Sequence, residues 1–123
     1  MDTKILATLK MIVGTESWRH LLETIRQRDL LETARGMLQP VRVEKGCLSY
    51  HLYEDVENRN AFVLIGEWAT QQDIERHFLT DNQRLLLALM ELLNEQPELR
   101  FDSVSHTAGM ELIENVLGTE AAR

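Results

Sequence analysis

The apolar residues of this 123-residue chain change spacing in the order strand, helix, strand, strand, helix, strand, with a short helix after them. That order predicts an α+β domain built on a four-stranded antiparallel sheet. Two further observations sharpen it. A short polar turn joins the second and third strands into a hairpin, while a helix separates each outer pair, the split βαβ arrangement of ferredoxin-like domains. The first and third strands are apolar on both faces, so helices stacked on one side leave a bare apolar face that a second copy, laid sheet against sheet, would cover.

The elements follow in chain order. From Ile5 to Val13, the residues Ile5, Ala7, Leu9, Met11 and Val13 share one strand face, and Leu6, Thr8, Lys10 and Ile12 share the other. Gly14 and Thr15 end this strand, and Ser17 offers an N-cap for a helix carrying Leu21, Leu22 and Ile25. The apolar series then resumes out of phase at Leu30, Leu31, Ala34, Met37, Leu38 and Val41, so a kink or break is expected near Gln27 to Asp29, with Pro40 and Gly46 closing the region. Leu48 to Glu54 reads as a strand with Leu48, Tyr50 and Leu52 on one face, Asp55 to Asn60 as the hairpin turn, and Ala61 to Trp68 as the return strand.

Thr70 and Asp73 form a capping pair for the next helix, whose stripe begins at Ile74 and Phe78. The polar step Thr80-Asp81-Asn82 re-caps or kinks it before Leu85, Leu86, Leu89, Met90, Leu92 and Leu93, and Pro97 ends it. Leu99 to His106 is the last strand. Gly109 to Leu117 is an amphipathic helix expected to turn Leu112, Ile113, Val116 and Leu117 inward. Residues 1–117 are read as a single domain and 118–123 as a C-terminal tail.

Composition excludes several classes of function. Apolar residues at 44% and charged residues at 27% describe an ordinary globular chain. A net charge of −7, without a basic run, repels nucleic acid and anionic membranes. The N-terminal apolar stretch is too short and too interrupted for a signal peptide or membrane span, which points to the cytoplasm. Cys47 is the only cysteine, so there is no internal disulfide. The four histidines show no metal-ligand spacing, and the glycines are isolated, so neither a metal site nor a dinucleotide fingerprint is read and no cofactor is expected.

The run Arg42-Val-Glu-Lys-Gly-Cys-Leu-Ser-Tyr-His-Leu-Tyr-Glu-Asp55, the strand from Phe62 to the Glu67-Trp68 pair, and His77 nine residues later resemble the antibiotic biosynthesis monooxygenase (ABM) family over roughly Ile5 to Ile113. The resemblance implies a dimeric α+β barrel, commonly a homodimer, with a small pocket in each subunit between sheet and helices. It also implies one of several activities: cofactor-free monooxygenation of quinols, phenols or polyketide-like molecules, a role on small signalling molecules, or haem degradation. Two departures bear on the choice. No asparagine lies between Ile5 and Val13, where haem-degrading relatives have one, and Leu64 stands where some polyketide-oxidising relatives place an asparagine.

Within that frame His77 and Trp68 are the candidate catalytic residues. An ordinary histidine titrates near ~6.5 and accepts a proton at neutral pH. Asp73 and Asp81, one turn to either side, are placed to orient its ring. The Trp68 indole walls a flat aromatic substrate, and Tyr50, Phe62, Leu64, Gly66 and Phe78 complete the substrate-binding set. His51 and Tyr53 point to the opposite face and are read as interface residues, and Cys47 as structural. A helix-surface histidine and a core tryptophan account for the same residues without chemistry, so a non-catalytic small-molecule binding module stands as the alternative, with haem degradation behind it.

Overall fold

The computed structural model of the chain describes residues 3–12, 20–58, 61–91 and 96–121, with the side chains of 20–29, 89 and 119–121 outside that description. Its elements are β1 (Lys4–Ile12), α1 (His20–Arg42), β2 (Cys47–Glu54), β3 (Ala61–Trp68), α2 (Gln71–Phe78), α3 (Asp81–Met90), β4 (Glu98–Val104) and α4 (Met110–Ala121). The strands form one antiparallel sheet in the order β2-β3-β1-β4, which is the ferredoxin-like topology.

Register sets the core. Ile5 pairs with Trp68, Ala7 with Gly66, Leu9 with Leu64 and Met11 with Phe62, so these side chains share the face that the helices cover. Against them pack Leu30, Ala34, Met37 and Val41 of α1, Ile74 of α2, and Leu86 and Met90 of α3. The hairpin turn closes as the sequence predicts: Asp55 N–H donates to the Ala61 carbonyl at 3.0 Å, and the Asp55 carboxylate accepts from Glu57 N–H at 2.8 Å.

Several expectations are corrected. The helix α1 runs without the break expected near Gln27 to Asp29 and passes Pro40 by two residues. Its 23 residues span roughly 35 Å, against about 30 Å for a nine-residue strand. In β2 a bulge between Cys47 and Ser49 makes Leu48 an extra residue, so Cys47 rather than Leu48 joins Tyr50 and Leu52 over the core. In α3 the buried series is Gln83, Leu86 and Met90, while Leu85 is exposed; the break before Asp81 resets the phase. The residues Leu92 and Leu93, with Val13 and Ser17, lie outside the described residues.

The terminal helix α4 departs furthest. It continues past Gly118 to Ala121, and Leu112, Ile113, Val116 and Leu117 are each more than half exposed instead of turned inward. Periodicity reveals that a helix has an apolar face but is silent on which surface meets it.

Candidate functional site

The capping geometry of α2 brings His77 to the sheet. Thr70 Oγ1 accepts from Asp73 N–H at 3.1 Å and donates to the Asp73 carboxylate at 2.8 Å. Helix α2 is thereby started in the phase that turns Ile74 and His77 inward. The hydrogen bond from Thr70 and the neighbouring Arg76 guanidinium hold the Asp73 carboxyl below its ordinary range. At the far end Thr80 Oγ1 donates to the His77 carbonyl at 2.8 Å and accepts from Gln83 N–H at 3.3 Å, which stops α2 and caps α3.

His77 is 3% exposed, and its ring stacks on Trp68 with centroids 4.7 Å apart and planes inclined by 29°. Tyr50 meets the imidazole edge-on at 5.9 Å. Its partner is Glu44, on the turn between α1 and β2, whose carboxylate oxygens both lie 3.1 Å from His77 Nδ1. A carboxylate at Nδ1 keeps the proton there in the neutral ring and leaves Nε2 as the proton acceptor. The expectation that Asp73 and Asp81 orient the imidazole is therefore corrected. Asp73 is engaged by Thr70 and Arg76, and Asp81 lies exposed at the start of α3.

The turn that carries Glu44 is tightly held. Glu44 N–H donates to the Val41 carbonyl, Cys47 N–H donates to the Glu44 carbonyl, and Ala69 N–H donates to the Gly46 carbonyl at 2.8 Å. Gly46 has φ +84°, a conformation that glycine adopts without strain. Arg42 Nε donates to the Tyr50 carbonyl at 2.8 Å, tying the end of α1 to β2. Burial, with the Glu44 carboxylate nearby, pushes the Tyr50 hydroxyl up to about 12, so it stays protonated at neutral pH. The same two causes, burial first, push the Cys47 thiol up and away from thiolate reactivity.

Tyr50, Leu64, Gly66, Trp68, His77 and Phe78 all line one cavity of about 40 Å³ between the sheet and α2–α3, room for a few waters. Phe62 does not. It shares their face but sits six residues along β3 from Trp68, about 20 Å away, where it pairs with Met11. Alternation assigns a face, not a distance along it. Gly66, read from the sequence as part of the substrate-binding set, makes room for rings of the protein itself: a side chain there would meet Trp68 Nε1 and Tyr50 Cδ1 at 3.0 Å, so its lack of one lets both rings approach the strand.

The sequence reading missed Glu44 and Gln83 as site residues, and Leu99 and Phe101 of β4, which also line the cavity. Glu44 was visible only as part of the Glu-x-Gly-Cys-Leu run, and Gln83 carried no signal. A groove of about 270 Å³ adjoins the cavity and shares Ile74, Phe78 and Phe101 with it. The edge-to-face pair Phe78 and Phe101, 5.5 Å apart, stands between the two spaces. Joined, they reach the low end of the roughly 300–1,000 Å³ typical of small-molecule sites.

Among the described residues, no three His, Cys, Asp or Glu side chains come together as a metal-holding group, and no helix is long and apolar enough to cross a membrane.

Comparison with known proteins agrees with this fold. The family model "Antibiotic biosynthesis monooxygenase" matches residues 26–86, which include Glu44, Tyr50, Trp68, His77 and Gln83. Rv0793 from Mycobacterium tuberculosis shares the fold with a TM-score of 0.71 at 19% identity, covering 86% of this chain and 99% of its own. A Deinococcus radiodurans protein whose name carries the same family matches with a TM-score of 0.71 at 14% identity over 85% of this chain and 96% of its own. Protein sll1783 of Synechocystis is 29% identical over 55 residues, 45% of this chain but only 37% of that protein. The matched stretch and the shared fold place this chain in the antibiotic biosynthesis monooxygenase family.

Proposed function

We propose that the chain is a cofactor-independent monooxygenase that oxidises a small phenolic, quinol or polyketide-like substrate with dioxygen at the cavity around His77. The observation that carries this reading is the buried His77, stacked on Trp68 and paired at Nδ1 with the half-buried Glu44, a base held in one tautomer between apolar walls. His77 Nε2 takes a proton from the bound substrate, and the electron-rich anion passes one electron to dioxygen. The two radicals join in a carbon–oxygen bond, and His77 returns its proton to the peroxide. Loss of water from the hydroperoxide leaves a carbonyl, so one oxygen atom enters the substrate and the other leaves as water. Leu9, Leu64 and Leu86 keep bulk water from the anion. Oxygen uptake by the metal-stripped protein against a panel of quinols and anthrone-like phenols tests this. Stoichiometric uptake with a carbonyl product supports it, and no uptake with any member from a folded protein overturns it in favour of a binding module.

The working unit in this proposal is a homodimer. The sheet face opposite the helices carries Leu6, Ile12, Val63 and Ile65, with His51 and Tyr53 beside them on β2, and among the described residues the helices with the larger sheet contacts, α1 and α2, pack their buried residues on the other face. Ile65→Asp would bury an unpaired carboxylate in a sheet-to-sheet interface. The expected result is dissociation of a wild-type dimer to monomer in sedimentation equilibrium, with at least a ~100-fold rise in Kd. An unchanged dimer would place the interface elsewhere.

A further inference from the structure

Gln83 is 7% exposed and lines the cavity, yet its Oε1 accepts no hydrogen bond among the described residues. A buried amide oxygen without a partner has lost its hydration and gained nothing in return, which destabilises the empty site. Of the other cavity residues, Ile74, Phe78 and Leu86 carry no donor, the His77 Nδ1 proton faces Glu44, and neither the Tyr50 hydroxyl nor the Trp68 indole N–H bonds to it. The position of Gln83 is nonetheless held firmly. Thr80 binds the His77 carbonyl with its hydroxyl and accepts the Gln83 backbone N–H on the same oxygen, so one residue sets both side chains at the cavity.

We propose that Gln83 is a substrate-positioning residue whose amide oxygen accepts a hydrogen bond from a substrate hydroxyl, and that the site selects aromatic rings carrying two hydroxyls. One hydroxyl faces His77 Nε2 and yields its proton; the second donates to Gln83 Oε1. The proposal rests on the reading of His77 as the base of this cavity. It supplies the polar hold that Leu64 cannot give, since an alkyl side chain has neither donor nor acceptor. A phenol with a single hydroxyl satisfies His77 but leaves the Gln83 oxygen stranded and dehydrated, which is the arrangement that discriminates most strongly between ligands.

The test is anaerobic NMR titration of the full chain with hydroquinone and with phenol, in the wild type and in Gln83→Met, an apolar side chain of similar length. Wild type is expected to bind hydroquinone about tenfold more tightly than phenol, the worth of one buried hydrogen bond. Gln83→Met brings that ratio close to one, chiefly by weakening hydroquinone. The Gln83 side-chain amide resonances of the wild type shift with hydroquinone and not with phenol, a readout that stands even if the variant folds poorly. Equal affinity for the two compounds in wild type overturns the assignment of Gln83. A preference that survives Gln83→Met overturns it as well, and in either case His77-dependent oxygen uptake leaves the oxygenase reading intact. Binding of neither compound overturns the assignment of Gln83, while the oxygenase reading stands or falls on the uptake panel.

Discussion

Replacing His77 by alanine is expected to lower substrate-dependent oxygen uptake by about 10³-fold, within the range that a positioned general base supplies. Glu44→Gln is expected to lose about 10²-fold while leaving the ring in place. The glutamine amide can present N–H to Nδ1 as readily as it accepts from it, which lets the imidazole adopt the tautomer whose Nε2 carries the proton. It also removes the negative charge that stabilises the imidazolium formed when substrate is deprotonated. The glutamate lies 3.1 Å from the ring on a turn whose backbone is hydrogen-bonded independently of its side chain, so the loss should come in kcat with the melting temperature little changed. Stopped-flow oxygen-electrode measurements on both variants check the pair. Unchanged kcat in Glu44→Gln would mean that the carboxylate is only a packing partner, and unchanged uptake in His77→Ala would remove the mechanism altogether.

Gly46→Ala is expected to destabilise the fold by about 2–4 kcal/mol, the largest stability effect anticipated for a single methyl group here. Two costs coincide. The backbone at φ +84° is strained for any residue with a Cβ, and that Cβ would be driven into the Asp73 carboxyl group, which caps α2 through Thr70 and holds Arg76. Moving Asp73 disturbs the helix that carries His77, and moving the turn disturbs Glu44 two residues earlier. Activity should therefore fall together with stability. Gly36→Ala is the matched control: it lies exposed within α1, with nothing near the added methyl, and is expected to stabilise by about 0.5–1 kcal/mol. Urea denaturation of the two variants beside wild type decides the matter, and a Gly46→Ala protein as stable as wild type would refute the account of the turn.

The individual residues show which information was local. Strand alternation placed Ile5, Leu9 and Met11 opposite Leu64 and Trp68 on the covered face, and the observed register agrees. The Thr70 cap and the re-capping at Thr80 were legible because a hydroxyl bonds to a backbone N–H only three residues away. Phe62 was misplaced because period-two alternation carries no coordinate along the strand. Leu48 and Leu85 were misplaced because a bulge in one case and a helix break in the other shifted the phase by steps that hydrophobicity does not mark.

By itself the sequence determined the order of elements, the sheet face that is buried, and the presence of His77 and Trp68 at neighbouring element ends, since each depends on spacing within a few residues. Only the tertiary structure decided that Glu44, 33 positions away, and not Asp73 or Asp81, holds the imidazole, and that Gln83 comes to the same cavity with an oxygen unsatisfied. Those pairings depend on where a turn and a helix break come to rest in space, and distance in space between residues far apart in the chain is set by packing of the whole sheet and its helices, not by any local pattern.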